Sequence, residues 1–276
     1  MNLIRLDLGS GSAPRRALRV SGWCLALGGL AVLPTPSAAQ IAVDRVEIVF
    51  QPKTADPRVG VITLKNEGNQ PVQAQVRLED WDRAEDGTNH WYPQGTLRGS
   101  CGAVLQIFPA SVSLDPGASQ AVRVTMDTTS APTRECWAGA VVETVQPRVT
   151  NGRAVNYVIR TAVKVYILPP ALRLEGEVSA MSAAHQLGQQ ADTLDLVFAN
   201  TGERHLVAKG SVEFRRPDNS VAARVELPTL YTLPGATSRA RLQVPQLPQG
   251  RYVALAILDY SGDQLAAAQV EYEVPR

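Results

Sequence analysis

Three cysteines, three histidines and a closely spaced acidic pair are the residues of this chain whose types invite chemistry. Their spacing decides what is open to them. His90, His185 and His205 stand far apart, and no Cys-x-x-Cys or His-x-x-x-His pattern occurs, so no metal site is expected. Asp80 and Asp82 flank Trp81 and read as the solvated polar end of a strand rather than as paired carboxylates for acid–base work. The chain has neither a Gly-x-Ser-x-Gly elbow nor a glycine-rich phosphate loop. No enzymatic activity and no cofactor are expected. Cys101 and Cys136 remain. In an oxidising compartment such a pair forms a disulfide; the alternative is two unpaired thiols.

The compartment is read from the start of the chain. Arg15, Arg16 and Arg19 precede an apolar run from Gly22 to Leu33, and Ser37-Ala38-Ala39 has the small residues of a signal-peptidase site. Residues 1–39 read as a signal peptide with the mature chain beginning at Gln40, and Cys24, preceded by Trp23, leaves with it. The residues after Arg15-Arg16 match the twin-arginine pattern poorly, so ordinary secretion is expected. No later apolar stretch approaches the roughly 20 residues of a membrane helix, so the mature chain is not expected to insert into a membrane. Beyond residue 39, 23 basic and 25 acidic side chains remain. That balance gives no reason to expect a nucleic-acid partner.

The elements that must position these residues repeat. Ile62 to Val76, ITLKNEGNQPVQAQV, is echoed by Leu194 to Val212; SVSLDPGASQAVRV is echoed by LYTLPGATSRARLQV; and the apolar run Cys136 to Glu143 is echoed by Arg251 to Tyr260. Pro116-Gly117 and Pro234-Gly235 read as turns between strands, and Asn66-Glu67-Gly68 and Asn200-Thr201-Gly202 as hairpin signals. Three matched elements in one order predict a duplicated β domain. Helical periodicity is scarce, and only Met181 to Asp192 reads as a turn of helix or a loose loop. The fold class is all-β, two immunoglobulin-like β-sandwich domains in tandem, over residues 40–168 and 171–276. Pro169-Pro170 cannot continue a central strand, so the boundary falls at Leu168 to Ala171, a short and stiff joint.

Residues 41 to 170 resemble the periplasmic pilus-assembly chaperones of the PapD-like superfamily. DRVEIVF stands as the first strand, ITLKNEG as the second, FPASVSLDPGASQAVRV in the place of the family's Pro-x-x-x-x-Leu-x-Pro-Gly-x-x-Gln-x-Val-Arg segment, and APTRECW where the family has Leu-Pro-x-Asp-Arg-Glu-Ser. The resemblance implies a carboxylate-binding pair of cations, one on the first strand and one near the end of the last strand of the first domain. The second falls on Lys164. At the first position this chain has Glu47, and Arg45, two residues earlier on the same strand face, is the nearest substitute.

The resemblance also implies a donor strand, whose alternating apolar side chains fill the groove of an incomplete subunit. Counting back from Lys164 gives Val155, Tyr157 and Ile159. An ordinary core-facing strand of a closed sandwich would show the same alternation. The function implied is a periplasmic chaperone that lends this strand to a pilin-like or adhesin subunit and hands it to an outer-membrane usher-type pore. The alternative is an exported two-domain structural or adhesive module, in which the Val155 to Arg160 edge is paired.

Overall fold

A computed structural model of the chain describes residues 41–52, 58–127, 129, 132–150, 153–184 and 192–274. The expected signal peptide lies outside the described residues. Among them, all helix or strand structure is strand. The first half forms β1 (Ile41–Val43), β2 (Glu47–Phe50), β3 (Val59–Asn66), β4 (Val72–Arg83), β5 (Asn89–Pro93), β6 (Leu105–Phe108), β7 (Ser111–Leu114), β8 (Ser119–Met126), β9 (Cys136–Thr150) and β10 (Arg153–Ile167). The second half forms β11 (Gly176–Ala184), β12 (Thr193–Asn200), β13 (Leu206–Arg215), β14 (Val221–Glu226), β15 (Leu230–Thr232), β16 (Thr237–Gln243), β17 (Gly250–Asp259) and β18 (Ala266–Val274).

These strands make two sandwiches. In the first, a sheet ordered β1-β3-β8-β6 faces one ordered β2-β10-β9-β4-β5, with β7 also paired to β4. In the second, β11-β12-β16 faces β14-β13-β17-β18, with β15 on β13. Period-two alternation fills the space between the sheets. Ile62, Leu64, Val122 and Val124 from one sheet meet Val76, Ala140, Val163, Val165 and Ile167 from the other, all buried. Leu194, Leu196 and Phe198 likewise share a core with Val212, Phe214, Ala254, Ala256 and Leu258. Each of the valines, leucines, isoleucines and phenylalanines among them contributes about 1.5–3 kcal/mol relative to exposure. Cys101 and Cys136 are disulfide-linked beside the first core, with Cα atoms 5.1 Å apart, and the closed loop stabilises the fold by about 3–4 kcal/mol in the chain-entropy account.

The repeated Asn-x-Gly elements are corners, not hairpins. β3 and β4 lie in opposite sheets, as do β12 and β13, so the chain crosses the sandwich at each. The side-chain amide explains why. Asn66 Nδ2 donates to the carbonyls of Gln70 (2.8 Å) and Leu114 (3.0 Å), its Oδ1 accepts from Gly68 N (2.9 Å), and its backbone exchanges bonds with Gly117 and Ala118. Asn200 repeats the set on Arg204, Thr232, Gly202, Gly235 and Ala236. Both asparagines are buried, and each ties its own corner to the segment around the Pro-Gly turn. The glycine of each Pro-Gly turn sits at positive φ, 76° and 74°, where a side chain is disfavoured.

Two other expectations need correction. Asp80 is buried rather than solvated: its carboxylate accepts from Leu97 N (2.8 Å) and Ser100 Oγ (2.5 Å), holding the loop after β5 against the sheet. Asp82 keeps partial solvent contact, with His90 Nδ1 at 3.0 Å and the Tyr92 hydroxyl donating to it at 3.1 Å. Met181 to Ala184 are strand, completing β11; residues 185–191 of that stretch lie outside the described residues.

The matched corners make a paired prediction. Asn66→Leu and Asn200→Leu each strand two buried carbonyls and an amide, so each should lower stability by about 3–5 kcal/mol in urea unfolding. A loss under about 1 kcal/mol in either variant contradicts the corner role.

Candidate functional site

The β9–β10 pair is longer than the sheet that holds it. The two strands are in antiparallel register from Cys136↔Ile167 to Thr150↔Arg153. β4 flanks β9 only over Gly139–Thr144, and β2 flanks β10, in parallel, only over Lys164–Ile167. Between Arg153 and Val163, β10 has β9 on one side and no paired strand on the other among the described residues. Odd-numbered side chains of β10 share one face. On that face Val163, Val165 and Ile167 lie in the core, Ile159 is half-covered, and Val155 (41% exposed) and Tyr157 (45% exposed) are open to solvent. Val145 on β9 and Val158 on the opposite face of β10 are more exposed still.

Charge braces the ribbon where it leaves the sandwich. Arg77 donates to Glu79 (2.7 Å) and Glu143 (2.7 Å), and Arg160 pairs with the same two carboxylates from the other side. The network ties β4, β9 and β10 across one level of the sheet, one residue from Ile159.

Lys164 projects from the even face, into a recess of about 20 Å³ between the sandwiches. β4 supplies Trp81 and Arg83, β10 supplies Lys164 and Tyr166, and the second sandwich supplies His205, Tyr231, Thr232 and Leu233. The Lys164 ammonium lies 4.2 Å from the centroid of the Trp81 ring. Burial pushes it below the usual lysine range, the neighbouring Arg83 adds to the shift, and Glu47 opposes it. Glu47 is the register partner of Lys164 on β2, where the resemblance implies a cation. Burial likewise pushes the Tyr166 phenol well above its usual range.

The structure does not bring Arg45 to Lys164. Arg45 sits in the bend between β1 and β2, not on the strand, and its guanidinium is bonded to Asp44, with Nη2 to Oδ2 at 3.0 Å. That bond holds the Asp44 carboxyl down to about 2. The bend exists because the first strand changes sheets, β1 pairing with β3 and β2 with β10. The alternation argument that put Arg45 on the Glu47 face fails there.

Glu135 and His205 are contacts that sequence reasoning missed. The Glu135 side chain is fully buried and takes His205 N at 2.6 Å and His205 Nδ1 at 2.5 Å, while the His205 ring stacks on Tyr166 with centroids 4.4 Å apart. Trp81, Tyr166, Leu168 and Leu233 pack together beside this pair. On the other side of the contact Glu85 accepts from Thr237 Oγ1 (2.7 Å) and Arg239 Nη2 (2.8 Å). Glu135 does fall in the APTRECW segment, where the family pattern has Arg-Glu, so that segment carried a signal; His205 carried none.

His205→Ala removes one bond to a buried carboxylate and a ring stacked on Tyr166. Calorimetry should show a loss of about 1.5–3 kcal/mol, with the transition splitting as the sandwiches uncouple. A single unshifted transition would show that the clamp does not couple them.

Comparison with known proteins bears on this geometry. Residues 40–173 match the family described as "Pili and flagellar-assembly chaperone, PapD N-terminal domain". No curated protein sequence matches the chain. Among solved structures, the class 5 fimbriae chaperone CfaA is 13% identical, with 86% of this chain and 100% of that one covered and a TM-score of 0.47. The chaperone–tip adhesion subunit pre-assembly complex CsuC–CsuE, from archaic chaperone-usher Csu pili of Acinetobacter baumannii, is 14% identical over 84% and 98%, with a TM-score of 0.45. The complex of Salmonella enterica SafA pilin with the SafB chaperone is 15% identical over 85% and 96%, with a TM-score of 0.42. The assignment rests on the family match: residues 40–173, the first sandwich, belong to the PapD N-terminal domain family of pili and flagellar-assembly chaperones.

Proposed function

We propose that this protein is a periplasmic chaperone that lends β10 to an incomplete β-sandwich subunit, pilin-like or adhesin, and delivers it to an outer-membrane pore for assembly. One observation carries the reading. The face of β10 that is core at Val163 to Ile167 continues, without change of register, into Val155 and Tyr157, which are 41% and 45% exposed. A strand built this way has apolar side chains and an open backbone edge waiting for a partner, which is the geometry of strand addition. Arg160 and Arg153 keep the edge charged enough to discourage pairing between copies.

In this reading the domains are those of the sequence: a signal peptide over residues 1–39, a subunit-binding sandwich over 40–168 and a second sandwich over 171–276. The Glu135–His205 clamp sets the angle between the two sandwiches. Lys164 anchors a carboxylate of the bound subunit. Arg45, committed to Asp44, is not at hand to assist it.

Tyr157→Asn together with Ile159→Asn tests the donor strand. The isolated protein should keep its melting temperature to within a few degrees, because Tyr157 is exposed and Ile159 half-covered. Subunit co-purified from the periplasm should fall to background, since each side chain is worth roughly 2–4 kcal/mol in an apolar groove and an unpaired buried amide adds more. A variant that does not fold refutes the assignment. Lys164→Ala tests the anchor: capture should weaken by about 10- to 100-fold, the worth of one charge-assisted hydrogen bond. Folding should be little affected, since burial already opposes the charge on Lys164. Equal losses of stability and capture would mark Lys164 as structural.

A further inference from the structure

Where β4 ends, a loop takes its place beside β9. β4 flanks β9 only over Gly139–Thr144, yet Trp137 is still paired on that side. Its N–H donates to Gly99 O at 3.0 Å, its carbonyl accepts from Cys101 N at 3.1 Å, and Ser100 forms a parallel bridge with it. Three anchors pin the loop. The buried Asp80 carboxylate accepts from Leu97 N and Ser100 Oγ. The Trp137 ring lies so close to Gly99 that a Cβ there would fall 2.4 Å from it, and its Nε1 donates to Trp81 O at 2.7 Å. The third anchor is the bond between Cys101 and Cys136.

Cys136 carries that anchoring toward the second sandwich. It opens β9 opposite Ile167, and Glu135, directly before it, lies outside the strand with no ladder partner of its own. The Glu135 carboxylate is fully buried and takes both the backbone N–H and Nδ1 of His205. A buried carboxylate is tolerated only while its partners meet it in good geometry. Ile167 fixes Cys136 from one side and Cys101 from the other, so the crosslink sets where Glu135 meets His205.

We propose that the Cys101–Cys136 disulfide is the positioning element of the Glu135–His205 clamp, so that the two sandwiches lock at their working angle only in the oxidised chain. The inference rests on the reading of that pair as the clamp between the sandwiches. Closing the bond takes two electrons and two protons from the two thiols. Their acceptor is a disulfide-bearing oxidoreductase of the periplasm, which leaves as a dithiol. In the folded protein Cys101 is 1% exposed and Cys136 7%, so exchange belongs to the stage before the loop packs down. Oxidation is thus passed once, during folding. A chain that missed it would offer β10 with the second sandwich loosely held.

Reciprocity supplies the test. If the disulfide positions the clamp, the clamp must favour the disulfide by the same factor. The mature protein is equilibrated in graded dithiothreitol buffers, and its thiols are trapped by alkylation and counted by mass spectrometry. His205→Ala should make the bond about tenfold easier to reduce. Glu85→Gln, which loosens the other contact through Thr237 and Arg239, should leave it unchanged. The coupling is read from the other side in a protein carrying Cys101→Ala and Cys136→Ala. Its calorimetric transition should split with His205 present, and adding His205→Ala should lower the melting temperature by under about 1 °C, against roughly 5 °C in the disulfide-bonded protein. Where the alanine pair does not fold, the thiol equilibrium alone decides. A disulfide that only stabilises the first sandwich leaves the thiol equilibrium and the His205→Ala shift at their wild-type values, and that result overturns the inference while the clamp stands. A single unshifted transition for His205→Ala in the disulfide-bonded protein removes the clamp reading and this inference with it.

Discussion

A β-strand inside a sheet needs hydrogen-bond partners on both sides, and among the described residues β10 has both only along its last four. The rest of the molecule is organised around that shortfall. β9 supplies one continuous partner, the disulfide and the first core hold the base of the pair, and the Arg77–Glu79–Glu143–Arg160 network braces it where flanking strands end. Beyond that level the ribbon has backbone to share and apolar side chains to bury. A protein that left such an edge long and wholly apolar would aggregate. Here Arg153, Asn156 and Arg160 interrupt it.

The second sandwich matters because it closes the recess at the foot of that edge. Its first corner places His205 against Glu135 and Tyr166, and its β15 brings Tyr231 and Thr232 to Arg83 and Lys164. Lys164 stands on Trp81, Trp81 meets Tyr166 edge-on at 6.2 Å, and Tyr166 stacks on His205. One aromatic column therefore joins the anchoring cation to the contact that holds the two sandwiches together. Desolvation there makes the Lys164 charge costly in the free protein and strengthens its pull on an anion.

Much of this was legible beforehand, for physical reasons that can be named. Alternation at Val155, Tyr157 and Ile159 marked the long strand β10 because a half-buried sheet imposes period two. The repeated Asn-x-Gly and Pro-Gly elements marked a duplication, but local turn chemistry cannot say whether the next strand joins the same sheet or the facing one, and the buried Asn66 and Asn200 amides decide for the facing one. Asp80 looked solvated because nothing local predicts that Leu97 and Ser100 fold back onto it. Arg45 was misplaced because a strand that changes sheets breaks its own periodicity at the bend. His205 carried no signal at all: its meaning is its closeness to Glu135, 70 residues away along the chain, and to Tyr166.

The central claim is that the outer edge of β10 is unpaired until a partner arrives. Amide hydrogen exchange of the mature protein, alone and bound to its subunit, tests it most directly. The backbone amides between Arg153 and Val163 that point away from β9 should exchange rapidly in the free protein and become protected in the complex, while Lys164 to Ile167 stay protected in both. Slow exchange along that edge in the free monomer would contradict the account.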